Sequence, residues 1–330
     1  MRYIGNKTKI LDFIDKATNP YLDKIQTIFD AFSGTGSVAL HFKKLHKNVI
    51  TNDFLYFCYV IEKGLLCLNR KIDTNKYLNE LNKLKPVKNG FIHSNYTPKG
   101  KRMFYTEENG IIIDTVRKQI EVWYKTNKIP QDLYFYLLTC LIYAIDKVSN
   151  ITGVYTSYLK TFQSNALKRL NLIHVDYDII KDRKFKCYNQ DLTQLKVKEN
   201  IDLLYLDPPY NARQYSQYYH LLETIAKYDN PKIHGIGGLR GDNKLSPFSQ
   251  KDKAQESMIK VIDNNKSKYI LISYNSEGII SKKDMIKLLK NYGSVKLYSK
   301  KYKRYVSNKN QHEQKAEFVY EYLFFCDRTK

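Results

Sequence analysis

Ile28-Phe29-Asp30-Ala31-Phe32-Ser33-Gly34-Thr35-Gly36 carries an apolar run into an acid and then into a pair of glycines. Residues 26–31 read as a strand ending at Asp30, and the turn at Ser33-Gly34-Thr35-Gly36 opens a helix through about His46. Val49-Ile50-Thr51 is a second short strand, ending at Asn52-Asp53. Strand, glycine turn, helix, strand and acid make one βαβ unit, for which right-handed parallel pairing is expected. Glycines at 34 and 36 permit a tight turn and close backbone approach. The third position of a Gly-x-Gly-x-x-Gly fingerprint is Ala39, which still permits close helix packing.

A second stretch, Leu203-Leu204-Tyr205-Leu206-Asp207-Pro208-Pro209-Tyr210, again delivers an acid to the end of an apolar strand, here with two prolines and a tyrosine. A phosphate-bearing cofactor would disfavour acids around the glycine turn, yet Asp30 precedes it directly. The turn therefore points to an adenosyl cofactor without phosphates, and S-adenosylmethionine carries a cationic sulfonium and an amino group that acids accommodate. Asp53 is placed to accept hydrogen bonds from a ribose. Asp30 also has a plainer reading, orienting the turn through backbone bonds. At the other strand end, Asp207 and the Pro208 carbonyl suit the protons of an exocyclic amine, and Tyr210 suits stacking on a flat ring. An adenine amine is a poor nucleophile because its lone pair conjugates with the ring, so acceptors that encourage pyramidal geometry help it. Pro208 and Pro209 stiffen the turn and remove two competing backbone donors. A generic Pro-Pro turn leaves the flanking acid and tyrosine unexplained. The pair of strand ends is the layout of an amino-methylating enzyme, and a base inside a duplex would have to be extruded to reach it.

The 330 residues suffice for one large α/β domain and a smaller insertion. Lys and Arg number 55 against 33 Asp and Glu, a formal charge of +22 that fits a polyanionic partner. The 29 tyrosines can stack on bases as well as fill cores. Cys58, Cys67, Cys140, Cys187 and Cys326 are scattered, without metal-ligand spacing, and read as reduced core thiols of a cytoplasmic protein. No metal is expected. Met1 to Lys7 lacks the apolar stretch of a signal peptide, and the apolar run Leu133 to Val148 is too short for a bilayer, so no membrane association is expected.

Helices are expected over 7–17, 54–69, 218–228 and 282–291, and strands over 201–206 and 268–273. Two last strands, 294–303 and 317–325, flank a basic turn and predict an antiparallel hairpin. Residues 71–175 break the α/β rhythm, with helices near 111–125 and 131–149, and read as a mostly helical insertion. The expected fold is α/β, a Rossmann-like, mostly parallel sheet made from 1–70 and 176–330, interrupted by that insertion. Loops 231–248 and 296–315 read either as clamps for a nucleic-acid strand or as solvated lysine-rich surface.

At these motifs the chain resembles the adenine-N6 DNA methyltransferases whose catalytic motif is Asp-Pro-Pro-Tyr. This is the Dam-like class, and the likeness is strongest to type II modification enzymes of the FokI-methylase kind. Arg2-Tyr3-Ile4-Gly5-Asn6-Lys7, with Leu11, resembles the N-terminal motif, which implies that Tyr3, Gly5, Asn6 and Lys7 line the methionine end of the cofactor. Asp30 to Ser37 matches the cofactor loop, implicating Asp30, Phe32, Ser33, Gly34 and Gly36, and Asn52-Asp53 matches the ribose-binding strand end. Asn189-Gln190-Asp191-Leu192 implies that Asp191 and Leu192 border the adenine. The most specific string is Asp207-Pro208-Pro209-Tyr210-Asn211-Ala212-Arg213-Gln214-Tyr215, followed by Tyr219-His220-Leu221-Leu222-Glu223-Thr224. The resemblance makes Asp207, Pro208, Pro209 and Tyr210 catalytic, with Asp207 also facing the cofactor, and assigns Asn211, Arg213, Gln214 and Tyr215 to DNA. Lys303-Arg304-Tyr305 resembles a late motif beside the flipped adenine, and Ser149 to Tyr155 resembles a loop near the target base. Asn6 stands where many relatives have glycine, and its side chain narrows the approach to the methionyl end.

The implied function is S-adenosylmethionine-dependent methylation of adenine N6 in a specific double-stranded DNA sequence, with the target base flipped and residues 71–175 reading the site. Such an enzyme serves a type II restriction–modification system beside a cognate endonuclease, without a stable complex, and works as a monomer. RNA adenine-N6 and DNA cytosine-N4 methylation use much of the same chemistry. A catalytically silent nucleic-acid-binding module would need none of the acid, glycines and tyrosine together.

Overall fold

The computed structural model describes residues 1–87, 89–210, 214–242, 245–303 and 318–330, the side chains of 302 and 303 excepted. Its strands are β1 (Thr27–Asp30), β2 (Asn48–Asn52), β3 (Phe185–Tyr188), β4 (Ile201–Leu206), β5 (Ile233–His234), β6 (Leu239–Arg240), β7 (Ser267–Asn275), β8 (Ser294–Lys303) and β9 (Phe318–Asp327). All but β5 and β6 join one seven-stranded sheet in the order β3-β2-β1-β4-β7-β9-β8. β3 through β7 in that order pair in parallel, and β9 runs antiparallel between β7 and β8. β5 and β6 form a separate antiparallel ribbon. The expected mostly parallel sheet with its antiparallel C-terminal hairpin is the one observed.

The helices are α1 (Leu11–Thr18), α2 (Ser37–Lys44), α3 (Tyr56–Glu62), α4 (Thr74–Asn82), α5 (Phe91–Tyr96), α6 (Glu107–Lys125), α7 (Gln131–Val148), α8 (Tyr215–Tyr218), α9 (His220–Lys227), α10 (Ala254–Asn264) and α11 (Lys282–Lys290). Side chains alternate across a strand, so neighbouring residues serve opposite cores. Ile28, Val49, Leu203, Leu271 and Phe325 meet α1 and α2 on one face. Phe29, Ile50, Leu204, Ile270 and Phe324 meet α10 and α11 on the other. β4 is buried along its whole length, as a central parallel strand covered on both faces must be. The chain lays β2 and β3 to one side of β1 and then returns to place β4 on the other. The crevice at the carboxyl ends of β1 and β4 is therefore a topological switch point, where open α/β sheets bind ligands.

A third core joins α3, α6, α7 and α9. Here α3 runs on into a π-helical turn, Lys63–Cys67, in place of the single helix expected to residue 69. Gly64 in that turn lies hard against α7: a Cβ there would stand 2.9 Å from the Phe135 carbonyl oxygen and closer still to Thr139 Oγ1. The buried Lys43 donates from Nζ to the turn's Leu65 and Leu66 carbonyls at 3.1 and 2.8 Å, and burial lowers its pKa to about 8. Residues 74–148 are mostly helical, in α4 to α7, after which residues 149–184 form neither helix nor strand. Among the described residues no helix is long and apolar enough to cross a membrane.

Because the Phe135 carbonyl cannot swing away as a side chain would, Gly64→Ala must spread α3 from α7. We expect a loss of about 1–3 kcal/mol, read as a lower urea midpoint at unchanged slope. An unchanged midpoint would show that the close approach is dispensable.

Candidate active site

A cleft enclosing about 1270 Å³, open mouth included, lies over the carboxyl ends of β1, β2 and β4. β1 supplies Asp30 and the following loop, β2 supplies Asn52 and Asp53, and β4 supplies the segment Asp207 to Tyr210. The loop is stitched to both neighbouring strands. Ala31 N–H donates to the Tyr205 carbonyl at 3.1 Å, and Ser33 donates from its amide and hydroxyl to the Asn52 carbonyl at 3.2 and 3.0 Å. Gly34 N–H donates to Asp53 Oδ2 at 2.9 Å, and Leu55 N–H donates to Asp53 Oδ1 at 2.8 Å. Asp53 thus holds the turn through two amides, while Asp30 feels the Ala39 amide at the start of α2. Gly34 has φ +55°, and a Cβ on it would meet the Tyr3 ring at 2.8 Å, so only glycine lets that ring lie on the turn.

The acids at this strand edge are crowded and poorly solvated. Asp30 is 1% exposed, and neither of its carboxylate oxygens has a hydrogen-bond partner. Burial, then the charges of Asp207 and Asp53, push its pKa well above the ordinary carboxylate value, against the Ala39 amide, which favours the charged form. Burial also raises Asp53 to about 6, with the Leu55 and Gly34 amides holding it back. The Glu62 carboxyl beneath the loop is raised chiefly by burial and then by Asp53, while the Ser33 and Thr51 hydroxyls hold it back, the latter donating to Oε2 at 2.6 Å.

Asp207 has a definite partner. Lys7 Nζ lies 3.0 Å from its Oδ1 and 3.1 Å from Glu321 Oε1, and Ser273 Oγ donates to the same Glu321 oxygen at 2.8 Å. Burial pushes the Asp207 carboxyl up to about 6, opposed by Lys7 and assisted by Glu321. Burial works against the Lys7 charge, but Asp207 and Glu321 outweigh it and hold its pKa above the usual lysine value. Tyr210 presents its ring edge-on to Tyr274, with centroids 6.4 Å apart and planes at 77°, and its carbonyl accepts Ile279 N–H at 3.0 Å.

Among the described residues, the cleft gathers the residues that the sequence assigned to the cofactor and to catalysis, Gly36 excepted. Tyr3, Gly5, Asn6, Lys7, Asp30, Phe32, Ser33, Gly34, Asp53, Asp191, Leu192 and Asp207 line it, as do Pro208, Pro209, Tyr210, Gln214 and Tyr215. Gly36 does not; it precedes α2 with φ +78° and shapes the turn. Asn211, Arg213, Arg304 and Tyr305 lie outside the described residues, as does the Lys303 side chain. Ser149 to Tyr155 does not line the cleft: Ser149, Asn150 and Tyr155 are buried and fasten neighbouring segments. Among the described residues no group of three His, Cys, Asp or Glu side chains is placed to hold a metal ion.

Residues 3–288 match the model of the D12 class N6 adenine-specific DNA methyltransferases. The chain belongs to this family. Among its relatives, the type II methyltransferase M.NlaIII of Neisseria lactamica is 35% identical, with 100% of both chains covered. The type II methyltransferase M.FokI of Planomicrobium okeanokoites is 36% identical over 99% of this chain and 53% of its own. The modification methylase LlaI of Lactococcus lactis subsp. lactis is 32% identical over 100% of this chain and 55% of its own. The chain thus spans about half the length of the latter two relatives.

Two features of this D12-class chain have no counterpart among the sequence expectations, and a third, Leu245 to Ser249, falls largely within the loop read at 231–248. Glu321 and Ser273 complete the Lys7 site, and the legible signal was one acid inside the otherwise apolar β9. Leu245 to Ser249 closes one side of the cleft, with Phe248 edge-on to Phe32 at 4.8 Å. The N-terminal segment is anchored by Arg2, which donates from its amide to Asp146 Oδ2 at 2.9 Å, from Nε to Asp146 Oδ1 at 3.3 Å and from its guanidinium to Ser149 Oγ at 2.6 Å. Ile4 N–H adds a bond to the Tyr219 hydroxyl at 2.7 Å, and Tyr3 stacks on the Tyr219 ring at 4.8 Å.

Arg2→Ala would leave Asp146 buried without its guanidinium. Discounted for the partial exposure of Arg2, the expected loss is roughly 1–3 kcal/mol. Limited proteolysis should cut ahead of Lys7 faster in the variant. Equal stability together with an equally protected N-terminus would refute the anchoring role.

Proposed function

We propose that this chain transfers a methyl group from S-adenosylmethionine to the N6 amine of adenine in a specific double-stranded DNA sequence, as the modification enzyme of a type II restriction–modification system. The observation that carries the reading is the joining, at one switch-point cleft, of the Asp30 glycine loop with the Asp207-Pro208-Pro209-Tyr210 segment. The family match, and relatives named as type II methyltransferases, support it.

The cleft suits an adenosyl cofactor with a positive charge. Neither oxygen of the buried Asp30 carboxyl has a hydrogen-bond partner, so it has acceptor capacity for an ammonium, and a cation beside it would favour the charged form that burial disfavours. Asp53, with each oxygen already taking one amide, retains lone pairs for ribose hydroxyls. Asp191 and Leu192 border the same space. Bound there, the cofactor supplies an electrophilic methyl on a sulfonium. Asp207 and the Pro208 carbonyl accept hydrogen bonds from the adenine amine, drawing its lone pair out of conjugation, while Tyr210 holds the ring by stacking. The reaction releases one amine proton, and Asp207, raised to about 6, is a carboxylate near neutrality able to take it toward solvent.

Double-stranded DNA with a flipped base is the substrate on this reading. Asn211, Arg213, Gln214, Tyr215, Lys303, Arg304 and Tyr305 contact it, and the insertion at 71–175 reads the sequence. The formal charge of +22 supports a polyanionic partner. A cognate endonuclease shares the recognised site without a stable complex, and the enzyme acts as a cytoplasmic monomer, in keeping with five free cysteines.

Purified protein incubated with labelled S-adenosylmethionine and unmethylated genomic DNA should yield N6-methyldeoxyadenosine. N4-methyldeoxycytidine would change the base, label in RNA alone would change the substrate, and no transfer to either would leave a binding module. Asp207→Ala should lower kcat by about 10²–10³-fold, while Tyr210→Ala should impair use of DNA more than cofactor affinity. Near-normal turnover in Asp207→Ala sinks the assigned role.

The Asp207 carboxylate is depleted as pH falls through its raised pKa. The acid limb of kcat/KM should therefore bend near pH 6 instead of near the ordinary aspartate value of 3.8. A profile flat down to pH 5 would contradict that assignment.

A further inference from the structure

We infer that Glu321, on β9, is a positioning residue for the reaction: it shares the Lys7 ammonium with Asp207 and so keeps the Asp207 carboxylate available to the target amine. The inference rests on the function proposed above. It concerns a residue outside the 3–288 segment matched by the family model.

The geometry is specific. Lys7 is 8% exposed and Glu321 9% exposed, so both charges sit largely out of water. The ammonium has three donors, and two of them go to carboxylates, one at 3.0 Å on Asp207 and one at 3.1 Å on Glu321. Ser273 Oγ, donating at 2.8 Å, fixes the Glu321 oxygen that Lys7 uses. Glu321 shares its face of β9 with Leu323 and Phe325, both buried in the core. Packing alone would favour another apolar side chain there, because a buried ion pair seldom improves on a hydrophobic replacement. With Glu321 absent, Lys7 and Asp207 would form a closed buried pair, and a carboxylate committed to an ammonium is a poor acceptor for a weakly acidic amine. With Glu321 present, the lysine is divided between two anions, and the trio keeps one surplus negative charge beside the cleft.

The groups facing Asp207 come from each element packed around it: Lys7 from the N-terminal segment, Asp30 from β1, Tyr205 from β4, Tyr215 from α8 and Glu321 from β9. Of these, Glu321 disfavours the Asp207 charge through space and also competes for Lys7. Both effects act in the same direction, so neutralising Glu321 must lower the pH at which Asp207 titrates.

Glu321→Gln keeps the shape and removes the charge; Glu321→Asp keeps the charge and draws it back by one methylene. In the free full-length protein, the Asp207 carboxyl carbon is followed by NMR against pH, its signal assigned with Asp207→Asn. The midpoint should fall from wild type to Glu321→Asp to Glu321→Gln, by about half a unit or more in the last. In steady state at pH 8, kcat of Glu321→Gln should drop by about tenfold with KM for DNA nearly unchanged. If Glu321→Gln fails to fold, the Glu321→Asp midpoint alone must still lie below wild type. Coincident titrations in a wild type that methylates DNA would overturn this inference and leave the proposed function standing. A wild type that methylates no nucleic acid would overturn the functional reading, and this inference with it, whatever the titrations show.

Discussion

One lysine ammonium, buried between two carboxylates, ties together the beginning, middle and end of this chain. Lys7 follows the N-terminal segment, Asp207 follows the central strand β4, and Glu321 lies on the last strand. The three meet only because β9 is inserted antiparallel between β7 and β8, which brings Ser273 of β7 and Glu321 beneath the cleft. The N-terminal segment has no strand partner to hold it at the sheet edge. Arg2 on Asp146 and Ser149, with Ile4 on Tyr219, supplies that hold from the α7 and α9 side of the molecule. The position of Lys7 against Asp207 is therefore secured from α7 and the Tyr219 side as much as by the sheet.

Around this trio the fold accumulates acids where burial penalises them. Asp30, Asp53, Glu62 and Asp207 all have raised pKa values with burial as the leading cause. Asp53 offsets its own cost by holding the glycine turn through two amides, and Asp207 by accepting Lys7. Asp30 has no hydrogen-bond partner for either oxygen, and only the pull of the Ala39 amide works against its cost. A buried carboxylate without a partner is a destabilising feature that a packed core would not retain for stability's sake. It becomes intelligible as acceptor capacity kept for a cationic ligand, the local inconsistency expected at a functional site.

The parts of the fold legible in the sequence were those where local text and final environment agree. β1 and β4 are apolar runs that reach an acid, with Gly34 four residues after Asp30 and Pro208 directly after Asp207, and both strands and both acids lie where that punctuation places them. β3, Phe-Lys-Cys-Tyr, is a short strand only partly buried, so it shows neither a clean alternation nor a continuous apolar run. α10 does carry a helical stripe, burying Ala254, Ser257, Met258, Val261 and Ile262, but the polar stretch before it hides its start. Contacts between distant segments left the weakest trace. Arg2 with Asp146, and Lys7 with Glu321, are each separated by most of a domain, and an acid set among apolar neighbours of a helix or strand was their local sign.

The electrostatics divide by depth, and that division favours an uncharged guest over a charged one. The chain as a whole is strongly basic, at +22, a field that would draw a polyanion such as the proposed DNA from beyond contact range, attenuated over about 8 Å at physiological salt. Inside the cleft the sign reverses: Asp30, Asp53, Asp191 and Asp207 line it against the single cation Lys7 among the described residues. A phosphate entering there would meet buried acids in a medium that screens little, so the backbone of a nucleic acid is confined to the rim. A base carries no charge, and its amino protons are donors that the acids accept. For the function proposed here, the same arrangement that attracts DNA to the surface thus admits only an extruded base to the depth where Asp207 and Tyr210 wait, and it reserves the innermost acid for the cofactor's positive charge.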